Sequence, residues 1–93
     1  MTEPVIVSSG NVFADLGFDP GEAAILQMRA RLMADLRQHI RADQMTPPEA
    51  AARLGISQAR VTDLVQGKWE KFSLEMLITL ASRVGRQVTL ELA

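Results

Sequence analysis

The chain of 93 residues is long enough for one small domain; it has no cysteine and carries a formal net charge of −1 at pH 7. Without cysteine, disulfides and thiolate metal sites are excluded, which fits a reducing compartment. No run approaches the roughly 18 apolar residues of a membrane span, and the N-terminus lacks the basic start and apolar run of a secretory signal. We therefore expect a cytoplasmic protein.

Charge is distributed unevenly along the chain. Residues 1–22 carry four acids and no base, a net of −4, whereas residues 23–72 carry eight bases against five acids, a net of +3; residues 73–93 balance. A net of +3 is weak for a DNA-binding surface, so a monomer should bind DNA poorly and lose affinity steeply with added salt.

Residues 1–18 show no helical period. Val5, Ile6 and Val7 have the composition of a short strand, and a turn cluster follows them. Four apolar residues then lie close together: Val12, Phe13, Leu16 and Phe18. Two interpretations stay open for these four residues. With the acidic charge of the segment they suit docking on a basic partner protein, or they cover the long helix of their own chain or of a dimer mate.

Asp19-Pro20-Gly21-Glu22 predicts the start of a long helix, with an acid at the N-cap, proline in the first turn and glutamate three residues after the cap. The pattern extends to about Ala42. Its predicted buried stripe, at spacings of three and four residues, consists of Ile25, Met28, Leu32, Leu36 and Ile40. His39 stands in this helix without further metal-type ligands, so we expect a surface or packing role for it.

Residues 47–66, PPEAAARLGISQARVTDLVQ, fit a helix-turn-helix, in which two short helices cross at a tight turn. Ala51 supplies the small residue needed where the helices approach, and Gly55 supplies the turn. The capping-box pattern of Thr46 and Glu49 opens the first helix. The motif also needs five apolar positions, and the chain provides Ala50, Leu54, Ile56, Val61 and Leu64.

The second helix of this motif, capped by Ser57 and ended by Gly67, would lie in the DNA major groove. With Val61 and Leu64 buried, a rotation of 100° per residue turns the polar side chains outward. Gln58 suits an adenine edge, Arg60 a guanine or a phosphate, Thr62 a thymine methyl or a phosphate, and Asp63 a cytosine amino group. Ser57 and Lys68 suit phosphates. The outward set is Ser57, Gln58, Ala59, Arg60, Thr62, Asp63, Gln66 and Lys68. The alternative is that these residues are only solvated, with Asp63 paired to Arg60 one turn back.

Trp69 and Phe72 lie among lysines in the segment that follows. An aromatic residue between lysines can stack on single-stranded bases, but such a pair more often fills the core between two helices, and we favour the core. Ser73 then caps a further predicted helix, closed by Gly85. Its predicted inward residues are Leu74, Leu77, Ile78, Ala81 and Val84.

Residues 86–92 alternate polar and apolar, which is typical of a half-buried strand. Val88, Leu90 and Leu92 share one face of it. A lone strand is unstable, so we expect this one to pair with its twofold mate and form a homodimer. The alternatives are a tail packed on its own domain, or a pair with residues 5–7.

The segments SGNVFADLGF at 9–18, TPPEAAARLGISQARVTDLVQGK at 46–68 and FSLEMLITLASRVGRQVTLEL at 72–92 resemble the HigA-like antitoxins of the Xre/Cro-like helix-turn-helix family, the partners of RelE/HigB-type toxins. The resemblance implies a bacterial, dimeric repressor of its own operon that neutralises a ribonuclease toxin. It also implies backbone contacts to DNA from Thr46 and Lys68. The base-reading roles that it implies fall on Ser57, Gln58, Ala59, Arg60, Thr62 and Asp63. One departure is Pro47-Pro48, where the family often has glutamine and alanine; the loss of that glutamine removes a phosphate contact.

The sequence therefore predicts a mainly α, lambda-repressor-like helical bundle with a C-terminal β-strand that pairs across a dimer. We divide it into an N-terminal arm at 1–18, a helix-turn-helix DNA-binding domain at 19–85 and a dimerisation strand at 86–93. We expect partners in operator DNA, a second copy and a toxin protein, with no cofactor, no metal and no enzyme activity, because no nucleophile–base pair or phosphate loop is present. A regulator without a toxin and a protein-binding module that has lost DNA affinity are the alternatives.

Overall fold

The computed structural model describes residues 12–92, and all the regular secondary structure within that range is helical. The elements in chain order are α1 (Val12–Asp15), α2 (Pro20–Ala42), α3 (Pro47–Leu54), α4 (Gln58–Val65), a short 3₁₀ helix (Trp69–Lys71) and α5 (Leu74–Arg83). The long helix α2 is the centre of the fold: α1, α4 and α5 all pack against it, and α3 packs against α4 and α5. The prediction of a mainly helical small domain is confirmed. None of the described helices is long and apolar enough to cross a membrane.

Side-chain caps start the helices at the predicted places. Asp19 accepts the backbone N–H of Glu22 at 3.0 Å, and Ser73 accepts that of Met76 at 3.1 Å. Thr46 and Glu49 form the complete capping box, each side chain accepting the backbone N–H of the other residue. Each such cap satisfies a donor that the first helical turn leaves open, so residues three apart in sequence define these boundaries.

The core joins the second half of α2 to the four elements that follow it. Its largest fully buried side chains are those of Leu36, Leu54, Leu64, Phe72, Leu77 and Leu80. No polar or charged residue is buried among the described residues, so the core is held by apolar contact alone. Phe72 is buried and Trp69 packs against the same cluster, as the core interpretation of this aromatic pair predicts.

The predicted stripe of α2 is wrong in its first half. Ile25 and Met28 are 44% and 45% exposed, whereas Ala23 and Leu26 are buried. The stripe from Leu32 to Ile40 packs in or against the core as predicted. Ala23 and Leu26 are not part of the core cluster, and α1 also packs against α2. The buried face is rotated by about one residue from the predicted stripe. Four residues are too few to show a helical period, so the sequence did not predict α1.

The inward face of α5 also differs from the prediction at one position. Leu77 and Ala81 are buried as predicted, but Ile78 is 38% exposed and Leu80 is buried in its place. Leu77, Leu80, Ala81 and Val84 repeat at three and four residues, so they form an equally good helical stripe. Sequence spacing alone does not choose between such neighbouring faces.

The predicted C-terminal strand is not formed in the described chain. Residues 86–92 have no regular secondary structure, and Val88, Leu90 and Leu92 are exposed. A strand needs a neighbour that accepts and donates its backbone hydrogen bonds, and residues 12–92 offer none. The strand pattern at Val5–Val7 lies outside the described residues.

The segment is nevertheless anchored at its start. Arg86 makes a two-pronged contact with Asp35 of α2: Nε donates to Oδ2 at 2.9 Å, and Nη2 donates to Oδ1. These hydrogen bonds, and then the charge of the carboxylate, raise the pKa of Arg86 above its ordinary value. A raised pKa means that the guanidinium stays charged at every pH below its ordinary pKa, so deprotonation of Arg86 does not release the anchor near neutral pH.

Candidate nucleic-acid interface

The turn between α3 and α4 has the geometry of a helix-turn-helix. Gly55 adopts the left-handed conformation with φ 71° and ψ 33°, and its N–H donates to the carbonyl of Ala51. The chain then reverses, and Ser57 caps α4 by accepting the N–H of Arg60 at 3.2 Å. The two helices are therefore separate and cross at the predicted place. Ala51 is partly buried against the core at this crossing.

A contact from a distant element closes this turn, and sequence reasoning missed it. Nη1 of Arg83, at the end of α5, donates to the carbonyl of Leu54 at 2.7 Å. A Cβ placed on Gly55 would lie 3.0 Å from the same nitrogen. Arg83 thus satisfies a carbonyl that the end of α3 leaves open and packs over the glycine. The contact spans 29 residues, and no local pattern signals it.

The outward face of α4 is polar and open. Ser57, Gln58, Ala59, Thr62 and Gln66 are all exposed. The hydroxyl of Thr62 donates to the carbonyl of Gln58 at 3.2 Å, which leaves its oxygen free to accept. The N–H groups of Gln58 and Ala59 belong to the first turn of the helix, where no intrahelical acceptor exists. This face can therefore offer both side-chain and backbone donors to a ligand.

Two of the three charged residues of the predicted set, Arg60 and Asp63, lie at one flank of α4 and are half-buried. Arg60 places its Cζ 4.8 Å from the centre of the Phe72 ring, a cation–π arrangement. Asp63 pairs with Lys68 at 3.8 Å rather than with Arg60. The ring orients the Arg60 guanidinium, and Lys68 offsets the charge that makes Asp63 unfavourable near phosphates.

At the start of α3, Thr46 is exposed but its hydroxyl already accepts the N–H of Glu49. The next two residues, Pro47 and Pro48, have no N–H at all. The N-terminus of α3 therefore has little to donate to a phosphate, in contrast to the N-terminus of α4. The two prolines, which replace the glutamine and alanine frequent in the HigA-like family, therefore remove hydrogen-bond donors from this helix end.

The predicted partner-binding residues divide into two groups. Phe13 makes edge-to-face contacts with Phe18 and Trp69, at 6.1 and 5.9 Å between ring centres, so part of the arm covers its own domain. Val12 and Leu16 are 60% and 70% exposed. Val88, Leu90 and Leu92, the residues predicted to form a dimer, lie beyond the Arg86 anchor and are also exposed.

His39 lies beside Asp43, with 3.6 Å between Nε2 and the carboxylate. Within residues 12–92 no group of three or more histidine, aspartate or glutamate side chains could hold a metal ion. Among the predicted site residues, those that the described structure brings together on one open surface are the residues of α4 and its flanks.

Fold and site define a helix-turn-helix protein, the class that uses its second motif helix to bind DNA. The sequence matches the family described as a helix-turn-helix domain over residues 12–93, most of the chain, and the protein belongs to this Xre-like family. No curated protein matches the chain.

Proposed function

We propose that the protein is a homodimeric, sequence-specific transcriptional repressor, and the antitoxin of a type II toxin–antitoxin pair. In this role it represses its own operon and neutralises a RelE/HigB-like ribonuclease toxin in the bacterial cytoplasm, without a cofactor or an enzyme activity of its own. The observation that carries the DNA-binding part is the exposed polar face of α4 on a helix-turn-helix.

In the proposed complex, α4 lies in the major groove. Gln58 and Thr62 read base edges, with Ala59 and Gln66 on the same face, while Ser57 and the first N–H groups of α4 hold a phosphate. Arg60 reaches the DNA from the Phe72 ring, and Thr46 and Lys68 contact the backbone on either side. Asp63 reads a cytosine amino group only if it leaves Lys68.

Two features support the antitoxin role. The resemblance to HigA-like antitoxins extends over segments on both sides of the helix-turn-helix. The exposed Val12 and Leu16 lie in a part of the sequence with four acids and no base, which is complementary to a toxin that must attract RNA. The pairing of Val88, Leu90 and Leu92 with those of a second copy gives the dimer that presents two α4 helices to successive major grooves.

A gel shift on the promoter fragment upstream of the gene tests DNA binding. Gln58→Ala removes one bidentate base contact, and we expect a loss of about tenfold or more in affinity. Gln38→Ala is the matched control, because Gln38 is also exposed but stands on α2. Equal affinities of the two variants would contradict base reading by Gln58. No binding of the wild-type protein at low salt would favour the protein-binding module.

Co-expression with the neighbouring reading frame separates an antitoxin from a regulator without a toxin. We expect a small basic protein to co-purify with the wild-type chain and to inhibit growth when expressed alone. Leu16→Asp should abolish co-purification and leave the gel shift unchanged, whereas Ile78→Asp, at an exposed apolar residue of α5 outside both proposed interfaces, serves as the control for a general loss of apolar surface. A neighbouring product that neither binds nor inhibits growth would favour the stand-alone regulator.

A further inference from the structure

A groove of about 440 Å³ runs between the second half of α2, the start of α3 and the end of α4. Its floor is apolar and includes Ile40, Ala50 and Val61. Its polar side chains are Arg37, Arg41 and Gln44. The groove thus combines an apolar base with cationic and amide groups along one wall.

The charge of this groove is not compensated. No acidic residue lines it, and within residues 12–92 neither arginine forms an ion pair. Asp43, the nearest carboxylate in sequence, is directed to His39 and Arg53, at 3.6 and 3.9 Å. The groove therefore carries two positive charges that no carboxylate of the described residues pairs with.

The groove borders the proposed DNA-contacting face. Val65 lines it and is exposed. At 100° per residue, Val65 lies on the α4 flank next to Gln58 and opposite the flank of Arg60. The guanidinium of Arg37 reaches the turn after α4, since a Cβ on Gly67 would lie 3.5 Å from its Nη1. A ligand in the groove would thus continue along the edge of the surface that α4 presents.

The start of α3, which borders the groove, offers few backbone N–H donors of its own. Pro47 lines the groove at a helix N-terminus that has little to donate to a phosphate. Gln44, just before it, is the one described non-glycine residue with a positive φ, 52°. This left-handed conformation ends α2, because the N–H groups of Gln44 and Met45 donate to the carbonyls of Arg41 and Ile40, and it places Gln44 at the wall of the groove.

From these observations we infer that the groove is a second DNA-contacting surface, one that binds the sugar–phosphate backbone. The inference rests on the proposed DNA binding. Arg41 and Arg37 bind a phosphate through charge-assisted hydrogen bonds, Gln44 donates its amide, and a deoxyribose lies on the apolar floor. Arg41, Arg37 and Gln44 take the place of the N–H donors that Pro47 and Pro48 remove from α3.

The test is the salt dependence of binding to a duplex of unrelated sequence, where contacts to the backbone dominate. Arg41→Ala should weaken binding about tenfold at low salt and reduce the slope of log K against log salt by about one. Arg31→Ala is the matched control: it removes an exposed arginine from the same helix outside the groove, and it should change neither quantity. Arg41→Lys should restore much of the slope.

A second measurement uses the promoter fragment with single phosphates replaced by neutral methylphosphonates. We expect at least one position at which neutralisation weakens the wild-type protein but not Arg41→Ala; this measurement also serves with Arg41→Gln if the alanine variant does not fold. If the wild type binds DNA and Arg41→Ala behaves like Arg31→Ala, the groove inference is overturned alone. Reduced co-purification of the toxin with unchanged DNA binding would assign the groove to a protein and overturn it too. Absence of wild-type DNA binding would overturn the proposed function as well.

Discussion

Gly55 occupies the residue position on which the orientation of α4 depends most directly. Its φ of 71° lies in a region that costs an L-amino acid about 1–2 kcal/mol. The space beside it is also filled, because Nη1 of Arg83 is 3.0 Å from the position of a Cβ. The sequence predicted that the backbone turn requires a glycine at position 55. It did not predict that Arg83 also fills the space that a side chain there would need.

Gly55→Ala should therefore lower the free energy of unfolding by about 1–2 kcal/mol. Gly21→Ala is the matched control, since Gly21 lies in α2 with an ordinary φ and a Cβ there would meet only Asp19 Oδ2, at 3.7 Å. We expect it to be neutral or to stabilise the protein by up to about 1 kcal/mol. Urea denaturation at one protein concentration measures both changes, and equal effects would contradict the conformational argument.

Arg83 should be coupled energetically to Gly55. Arg83→Ala removes a charged donor from the Leu54 carbonyl, a loss of about 1.5–3 kcal/mol, and also removes the atom that a Cβ at position 55 would meet. The double variant should thus be more stable than the sum of the single changes predicts, by about 0.5 kcal/mol or more. Strict additivity in a double-mutant cycle would show that the contact over the turn has no energetic role.

At the scale of elements, what the sequence predicted was local. The start of α2 and both ends of α3 and α5 follow from caps and glycines within a few residues, and these predictions were confirmed. The same sequence patterns did not determine which neighbouring face of a helix is buried, as α2 and α5 show, because that depends on which distant element packs there. Contacts such as Arg60 on Phe72 depend on tertiary structure in the same way. The outward face of α4 was predictable because two buried residues fix it.

The revised face of α2 can be tested with adjacent residues. Leu26 is buried at 8% exposure and Ile25 is 44% exposed. We expect Leu26→Ala to destabilise the protein by about 2–3 kcal/mol and Ile25→Ala by less than about 1 kcal/mol. Thermal denaturation followed by circular dichroism compares the two. A larger destabilisation by Ile25→Ala than by Leu26→Ala would instead support burial of the face that the spacing of apolar residues predicts.

On the scale of the whole molecule, apolar surface is concentrated beyond the last helix. The described helices form one unit with a basic middle, whereas Leu90 and Leu92 after α5 are 77% and 88% exposed. A strand over residues 86–92, as the sequence pattern predicts, would need hydrogen bonds from another chain or from residues outside the described range. In the proposed function, a second copy supplies them and doubles the DNA-contacting surface.

Leu90→Arg should convert the proposed dimer to monomers, because it places like charges at the centre of the paired segments. Sedimentation velocity measures the mass, and promoter affinity should fall with it as one of two half-sites is lost. Leu16→Arg is the control, with an equally exposed leucine replaced far from this segment. A wild-type protein that sediments as a monomer at all concentrations would contradict the dimer.

The contact of Arg86 with Asp35 also sets a length. Because α2 holds the chain at Arg86, the described segment beyond it, residues 87–92, can reach no more than about 20 Å. In the proposed dimer this short segment keeps the two α4 helices at a nearly constant separation. The dimer should therefore not bind operators whose half-sites are displaced by half a turn of the duplex. The contact between Arg86 and Asp35 is exposed, so high ionic strength weakens it. The segment between α5 and the dimer contact then becomes longer, and the proposed dimer should accept a wider range of half-site spacings.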